Sequence, residues 1–277
     1  MTGIRVVTDS SSDLPADLIE QYQISIVPLD VRLGEWDATD MAGVSAAEFW
    51  HRCATTKALP ETSSPSPGAF AACFTKAAAD GCTAVVCLTL SAELSGTYEA
   101  ACVGAREAGA GIDVRVVDTR SVSLGQGLIV LEVAEAAAAT NDVDLAERAG
   151  REAVRRTRVF CVLDTMDNVR KGGRLGAAKA LLGSLLAIKP VIEISDGVVR
   201  TESRPRTRAG SFEYLANIVK RSGKLRRLGV AHAAAPDVDK FLGMLAGSFP
   251  VDDILVSFLG PVIGAHGGPG CVGIALL

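Results

Sequence analysis

Aromatic side chains are scarce in this chain, with 8 Phe, 3 Tyr and 2 Trp among 277 residues. The core must therefore be built from aliphatic side chains, and a nucleic-acid surface that works by stacking bases lacks platforms. Histidine is rarer still: His51, His232 and His266 show no spacing that would gather them on a metal ion. The 7 cysteines (Cys53, Cys73, Cys82, Cys87, Cys102, Cys161 and Cys271) are odd in number, irregularly spaced and free of any Cys-x-x-Cys pair. This pattern argues against a disulfide framework or a metal site and predicts buried free thiols in a reducing compartment. The opening MTGIRVVTDS carries no secretory signal, so the expected location is cytoplasmic. There is no Gly-x-Ser-x-Gly elbow, no phosphate loop and no Gly-x-Gly-x-x-Gly turn behind a strand.

What is present is a globular composition, 48% hydrophobic and 22% charged, with 28 glycines for tight turns. Disordered chains are poor in Val, Ile and Leu, so disorder is excluded as the main description. The length suits two domains of ordinary size. The net charge of −4 conceals an asymmetry, because residues 155–227 hold 17 Lys and Arg against 6 Asp and Glu. Such a block can steer an anionic partner. Its only stacking candidates are Phe160, Phe212 and Tyr214, so an acidic or phosphate-bearing protein fits at least as well as nucleic acid. Residues 254–277 carry no charge, but six glycines, Pro261, Pro269 and His266 interrupt them. A membrane helix needs about 20 apolar residues; this run reads instead as a strand, a tight glycine loop and a final strand.

Up to residue 157 the apolar runs alternate with helical patterns, predicting strands at 4–7, 24–27, 31–33, 84–89 and 114–117. Helices are expected at 44–55, 69–80, 94–109, 121–140 and 143–155. This alternation predicts an α/β fold with a mostly parallel sheet flanked by helices, whose ligand loops lie at the carboxyl ends of the strands. Those ends read TDSSSD, LTLSAELSGT and VDTRS, all rich in hydroxyls. Residues 158–277 predict a second α/β domain with a mainly antiparallel sheet. It has a strand at 159–163, a glycine-broken helical stretch, and a hairpin at 188–204 turning at Ser195-Asp196-Gly197. A helix at 211–221, a strand at 228–232, a helix at 237–248 and the terminal strands complete it.

Three clusters carry candidate chemistry. In Thr62-Ser63-Ser64-Pro65-Ser66-Pro67, the prolines stiffen a run of hydroxyls. Ser66 is placed to cap the next helix with Pro67 in its first turn, which leaves Thr62 and Ser63 for a ligand or for the scaffold. In Ser91-Ala92-Glu93-Leu94-Ser95-Gly96-Thr97, Ser91 reads either as a helix cap or as a ligand hydroxyl. Ser95-Gly96 is an odd choice for a helix interior, and close approach of a ligand would explain it. In the run 260–270, His266 stands among glycines in an uncharged setting that suits contact with an anion. A serine hydrolase would need one of these serines to meet His266, with a distant carboxylate such as Asp9 or Asp118 as third member.

Together, VTDSSSDLP, TSSPSPGAF, LSAELSGTYEAA, DTRSVSLGQG, NVRKGGRLGAAKALLGSLLAIKPVI and GPVIGAHGGPG resemble the DegV family of bacterial fatty-acid-binding proteins, in the family's order and over nearly the whole chain. The resemblance implies a two-domain α/β protein, divided here into residues 1–157 and 158–277, that holds a long-chain fatty acid in a tunnel. It implies a carrier rather than an enzyme. A separate ATP-binding kinase subunit would phosphorylate the presented carboxylate, and the acyl phosphate would enter phospholipid synthesis. Thr62, Ser63, Ser95 and His266 match the family's carboxylate contacts, Ser91 and Arg174 supporting positions, and Arg204 and Arg206 a basic partner-docking segment. No cofactor beyond the lipid, no metal, no nucleic acid and no stable membrane insertion are implied, although transient membrane contact is allowed. Runs 84–90 and 180–188 are candidates for the tunnel wall. A serine-dependent lipid hydrolase and a carrier of another amphiphile are the alternatives.

Overall fold

A computed structural model describes residues 3–39, 44–56, 58–174 and 188–277. In chain order the first half comprises β1 (Ile4–Asp9), α1 (Ala16–Gln21), β2 (Ser25–Val27), β3 (Asp30–Leu33), β4 (Trp36–Thr39), α2 (Ala46–Thr55) and β5 (Glu61–Ser63). It continues through α3 (Pro67–Ala79), β6 (Ala84–Thr89), α4 (Thr97–Glu107), β7 (Asp113–Asp118), α5 (Leu124–Thr140) and α6 (Val143–Arg156). The second half runs β8 (Arg158–Val162), α7 (Asp167–Lys171), β9 (Val191–Ser195), β10 (Val198–Ser203), α8 (Arg208–Arg221) and β11 (Leu228–His232). It ends with α9 (Val238–Leu245), β12 (Ile254–Phe258), α10 (Pro261–Gly267) and β13 (Val272–Leu276).

Strands β2-β1-β6-β7 form the expected parallel sheet. Its centre, β6, reads Ala-Val-Val-Cys-Leu-Thr with every residue buried, as a strand covered on both faces must be. Strands β10-β9-β8-β13-β11-β12 form a sheet that is antiparallel except for the β11–β12 pair. A third, three-stranded antiparallel sheet, β4-β3-β5, takes up the strand expected at 31–33, but its other two strands and their pairing are absent from the sequence reading. β4 and β5 are four and three residues long, too short for a period of two to declare itself.

Five layers result. Phe70 and Phe74 of α3 and Ala101 of α4 cover one face of the parallel sheet. α5 covers the other, and also packs on β11 and β13. Phe212 and Leu215 of α8, with Phe241 and Leu245 of α9, close the far face of the large sheet. α5 has 12 of its 17 residues buried, Gln126 and Glu132 among them, and only its last turn reaches solvent. Its far end is tied down by Glu132 and Glu135, which pair with Arg226 and Arg227 just before β11. Among the described residues no helix is long and apolar enough to cross a membrane. The seven cysteines are free, but only Cys82, Cys87 and Cys271 are buried; the other four are partly exposed, short of the full burial expected.

The TDSSSD loop corrects another expectation, for its side chains turn inward. The fully buried Asp9 accepts from the backbone N–H of Leu90 (2.8 Å) and of Ser11 (3.0 Å). Gln126 of α5 donates to Thr8 Oγ1 at 2.9 Å. Burial pushes the Asp9 carboxyl up, and the bonds from Ser11 and Leu90 oppose it. Ser10 accepts from Leu29 N, while Asp13 accepts from Ser123 Oγ and from Gly260 N. A polar side chain at a strand end serves a scaffold as readily as a ligand: here Thr8 and Ser11 hold Gln126 of α5, and the Asp13 carboxylate holds the start of α10.

Candidate functional site

The large sheet has two unequal faces. Side chains alternate sides along a strand, and β13 with its neighbours alternates large with small. Phe160, Val162, Val230, Val272 and Ile274 pack toward α8 and α9. Facing α5 are Gly229 and Ala231 of β11, Cys161 of β8, and Gly273 and Ala275 of β13. In register, Ala231, Gly273, Cys161 and Ile192 form one row across four strands. α5 cannot settle further into this hollow. A Cβ on Gly125 would already stand 2.1 Å from Val159 Cγ2, and one on Gly229 would stand 3.0 Å from Leu124 Cδ1.

What remains is a narrow cavity between α5 and the sheet. The empty space between its lining atoms is about 1040 Å³, open mouth included. Aliphatic side chains from every quarter line it, among them Leu90, Leu94, Val159, Leu163, Ile192 and Val262. The run 84–90 contributes only Leu90 to the lining; its other residues are core of the parallel sheet. Residues 180–187 of the second candidate run lie outside the described residues.

One end of the cavity is polar. β5 brings Thr62, Ser63 and the following Ser64 to it, the loop before α4 brings Ser95, and α10 brings His266. Thr62 Oγ1 lies 3.1 Å from His266 Nε2, and Ser64 Oγ lies 2.9 Å from Ser95 Oγ. Burial, reinforced by the nearby Arg174 charge, pushes His266 down to about 4, so the imidazole is neutral at neutral pH. Its Nδ1 is buried without a partner among the described residues. With the proton on Nε2 the imidazole donates to Thr62, whose hydroxyl then keeps its own proton to donate into the cavity; with the proton on Nδ1 the Thr62 hydroxyl donates to Nε2 instead.

The local sequence explains how these groups are held. The glycine run around His266 is the short helix α10, not a loop. Its glycines admit protein rather than ligand, since a Cβ on Gly264 would stand 2.5 Å from Trp50 Cζ2. Gly172 does the same for the imidazole, because a Cβ there would meet His266 Nδ1 at 2.4 Å. Gly173 follows with φ +72, and Arg174 turns back to donate to the carbonyls of Gly172 (2.7 Å) and Leu94 (3.3 Å). Ser95 and Gly96 precede α4 instead of interrupting it, which removes the oddity of their pairing. Ser66 does cap α3, accepting from Ala69 N at 3.2 Å.

A family model described as "Uncharacterised protein, DegV family" matches residues 3–277. The chain belongs to the DegV family. A DegV domain-containing protein of Streptomyces coelicolor is 38% identical, over 99% of this chain and 98% of its own. One from Mycobacterium tuberculosis is 36% identical, over 98% and 96%. Among solved structures, a DegV family protein from Thermus thermophilus described as fatty acid binding superposes with TM-score 0.89 at 32% identity, covering 99% of this chain and 98% of that one. DegV of Bacillus subtilis, described as a fatty acid binding protein, gives 0.90 at 28% identity, covering 100% and 99%.

Within this DegV chain the structure brings Thr62, Ser63, Ser95, His266 and Arg174 to one cavity mouth. Ser91 stands apart: it donates to the Gly197 carbonyl at 2.7 Å, clasping the β9–β10 turn, and is not on the lining. Arg204 and Arg206 are exposed on the segment joining β10 to α8, also off the lining. The hydroxyl that His266 meets is that of Thr62, while Ser95 meets Ser64 and Thr97, so among the described residues none of these serines is hydrogen-bonded to His266. Among the described residues no group of three or more His, Cys, Asp or Glu side chains is arranged to hold a metal. Sequence reasoning passed over Ser64, and over the small-residue rows of β11 and β13. The rows had a readable signal in Leu-Gly-Val-Ala-His and Cys-Val-Gly-Ile-Ala-Leu; Ser64 had none beyond its neighbours.

Proposed function

We propose that this DegV protein carries one long-chain fatty acid, its acyl chain in the cavity between α5 and the large sheet and its carboxylate at Thr62, Ser63, Ser95 and His266. The observation that carries this reading is an aliphatic cavity that ends in hydroxyls and a neutral imidazole. A sixteen-carbon chain buries about fourteen methylenes at ~0.8 kcal/mol each, roughly 11 kcal/mol before the cost of association. A buried carboxylate without partners would cost several kcal/mol; donated hydroxyl protons offset that without a full positive charge inside. The fatty acid binding described for the Thermus and Bacillus relatives supports the same ligand class.

The carrier would serve a separate ATP-dependent kinase subunit in the cytoplasm, which phosphorylates the presented carboxylate to an acyl phosphate for phospholipid synthesis. Arg204 and Arg206, exposed within the basic block, would dock that partner. Charge reversal at both should cut turnover with the kinase while leaving fatty-acid affinity unchanged; equal turnover would remove the docking role. The first experiment on the carrier itself is mass spectrometry of ligand retained through purification, beside titration of delipidated protein with palmitate and oleate. One fatty acid per chain is the expected result. A chain that arrives empty and takes up neither acid would defeat the reading.

A further inference from the structure

Among the described residues four large apolar side chains stand exposed, and three of them, Val251, Val256 and Phe258, lie on or just before β12. β12 is also a free edge of the large sheet, beyond β11. Side chains alternate along it, so Ile254, Val256 and Phe258 share the face that α8 and α9 cover, but only Ile254 is buried there. Val256 and Phe258 remain 39% and 45% exposed. The Phe258 ring is held against His232, with ring centroids 4.5 Å apart. Neither side chain lines the acyl cavity.

The other sheet edges are guarded against a further strand, as edges of a soluble protein usually are. β7 carries Asp113, Arg115 and Asp118, with Arg115 paired to Asp113, Asp144 and Glu147. β10 carries Arg200 and Glu202, and its register shifts between Thr201 and Ser203. β2 is three residues long and runs into Pro28, while β4 and β5 are short and include Asp37 and Glu61. β12, Ile-Leu-Val-Ser-Phe, has no charge and no proline, and it keeps unbroken register with β11 over all five residues. Leu259 N donates to His232 O, so the odd-numbered residues bond to β11. The N–H and C=O of Val256, with the N–H of Phe258, therefore point away from the sheet.

A second copy, running antiparallel about a two-fold axis at Val256, satisfies these groups. Val256 would exchange both its bonds with Val256 of the second copy, and Phe258 would donate to the Ile254 carbonyl of that copy. Charge sets the direction. Asp252 and Asp253 are exposed just before the strand. Parallel pairing would set two such pairs side by side, whereas antiparallel pairing sends them to opposite ends. The same carboxylates would be repelled by an anionic bilayer. We propose that β12 is the interface of a homodimer, in which two six-stranded sheets join edge to edge. A five-residue edge makes a small interface, so the dimer is weak and concentration-dependent.

Sedimentation equilibrium of the full-length chain, from about 1 μM to about 1 mM, tests this. The mass should rise from one chain toward two, with the half-way point near about 100 μM. Val256→Lys sets two ammonium groups opposite each other across the axis and should raise that point by about tenfold or more. An unchanged thermal midpoint would show that the variant folds. Residues directly opposed on such an axis stand about 5.5 Å apart at Cα, within the reach of a disulfide. Val256→Cys, oxidised with copper phenanthroline, should therefore give a covalent dimer, and mass spectrometry of its peptides should find the 256–256 link. A chain that stays monomeric over the whole range overturns the proposal; this is also the result if β12 receives a strand of some other protein instead. A dimer that persists in Val256→Lys overturns it as well, since another surface would then hold the copies together. A dimer without the 256–256 link overturns the two-fold at Val256.

Discussion

His266 sits at the cavity mouth, and its charge state is set by its surroundings rather than by solvent. Its folded value of about 4 lies below the ordinary histidine value of 6.5. As pH falls from 6.5 toward 4, the unfolded chain takes up a proton that the folded chain refuses, so stability is full above 6.5 and declines through that window. At 1.36 kcal/mol per pKa unit, the loss approaches about 3 kcal/mol. Urea midpoints measured between pH 7 and 4 should show this slope, and His266→Gln should flatten it; an unchanged slope would place the titration elsewhere. Thr62→Val keeps the shape of the side chain but removes the hydroxyl that joins imidazole to cavity. A fatty-acid affinity lower by about tenfold is expected in a displacement titration, the order of one lost hydrogen bond to a charged group. Thr62→Ser should restore most of it.

At the scale of elements, the cavity is a by-product of pleat and size. Leu124 and Gly125 of α5 meet Gly229 and Val159 of the sheet, and the hollow stays open where Gly273 lies beside Cys161 and Ala231. A Cβ on Gly273 would stand 3.3 Å from both Cys161 Cβ and the Phe160 carbonyl oxygen, so Gly273→Leu should fill the hollow at some cost in packing. In competition among fourteen-, sixteen- and eighteen-carbon acids, the variant should favour the shortest, while its thermal midpoint falls. No change in chain preference would remove Gly273 from the chain path. These same residues show what was legible in advance. The parallel sheet announced itself through β-branched runs such as Val6-Val7 and Val85-Val86, and the antiparallel sheet through the hairpin turn Asp196-Gly197. His266 and Ser95 stood out because an imidazole and a hydroxyl in apolar or glycine-rich settings are chemically conspicuous. Thr62 and Ser63 drew notice as hydroxyls in a stiff loop, but the strand that aims them emerges only once β3 is beside it. The TDSSSD side chains misled and Ser91 stayed open, because nothing local distinguishes a hydroxyl serving a ligand from one bonded to Asp9 or Gly197.

For the molecule as a whole, α5 belongs to both sheets at once. Its Leu128, Ile129 and Val130 lie in a single apolar cluster with Val86 and Leu88 of the parallel sheet and Ala231 and Ala275 of the antiparallel one. Neither sheet can lose the other without exposing this helix, so calorimetry should show one cooperative unfolding transition. Two resolved transitions would mean that the halves at residues 1–157 and 158–277 stand independently. A bound fatty acid should move the single transition upward by mass action. The order of the strands has a further consequence for biosynthesis. β13 holds residues Val272–Leu276, yet it lies between β8 and β11 near the middle of its sheet. β13 is therefore made after every other strand of its sheet, and α5 waits, one flank bare, through the synthesis of more than a hundred residues. Until then the nascent chain presents an apolar helix and two unmatched strand edges, the kind of surface that chaperones hold. The cavity between α5 and the large sheet comes into being only once β13 is in place.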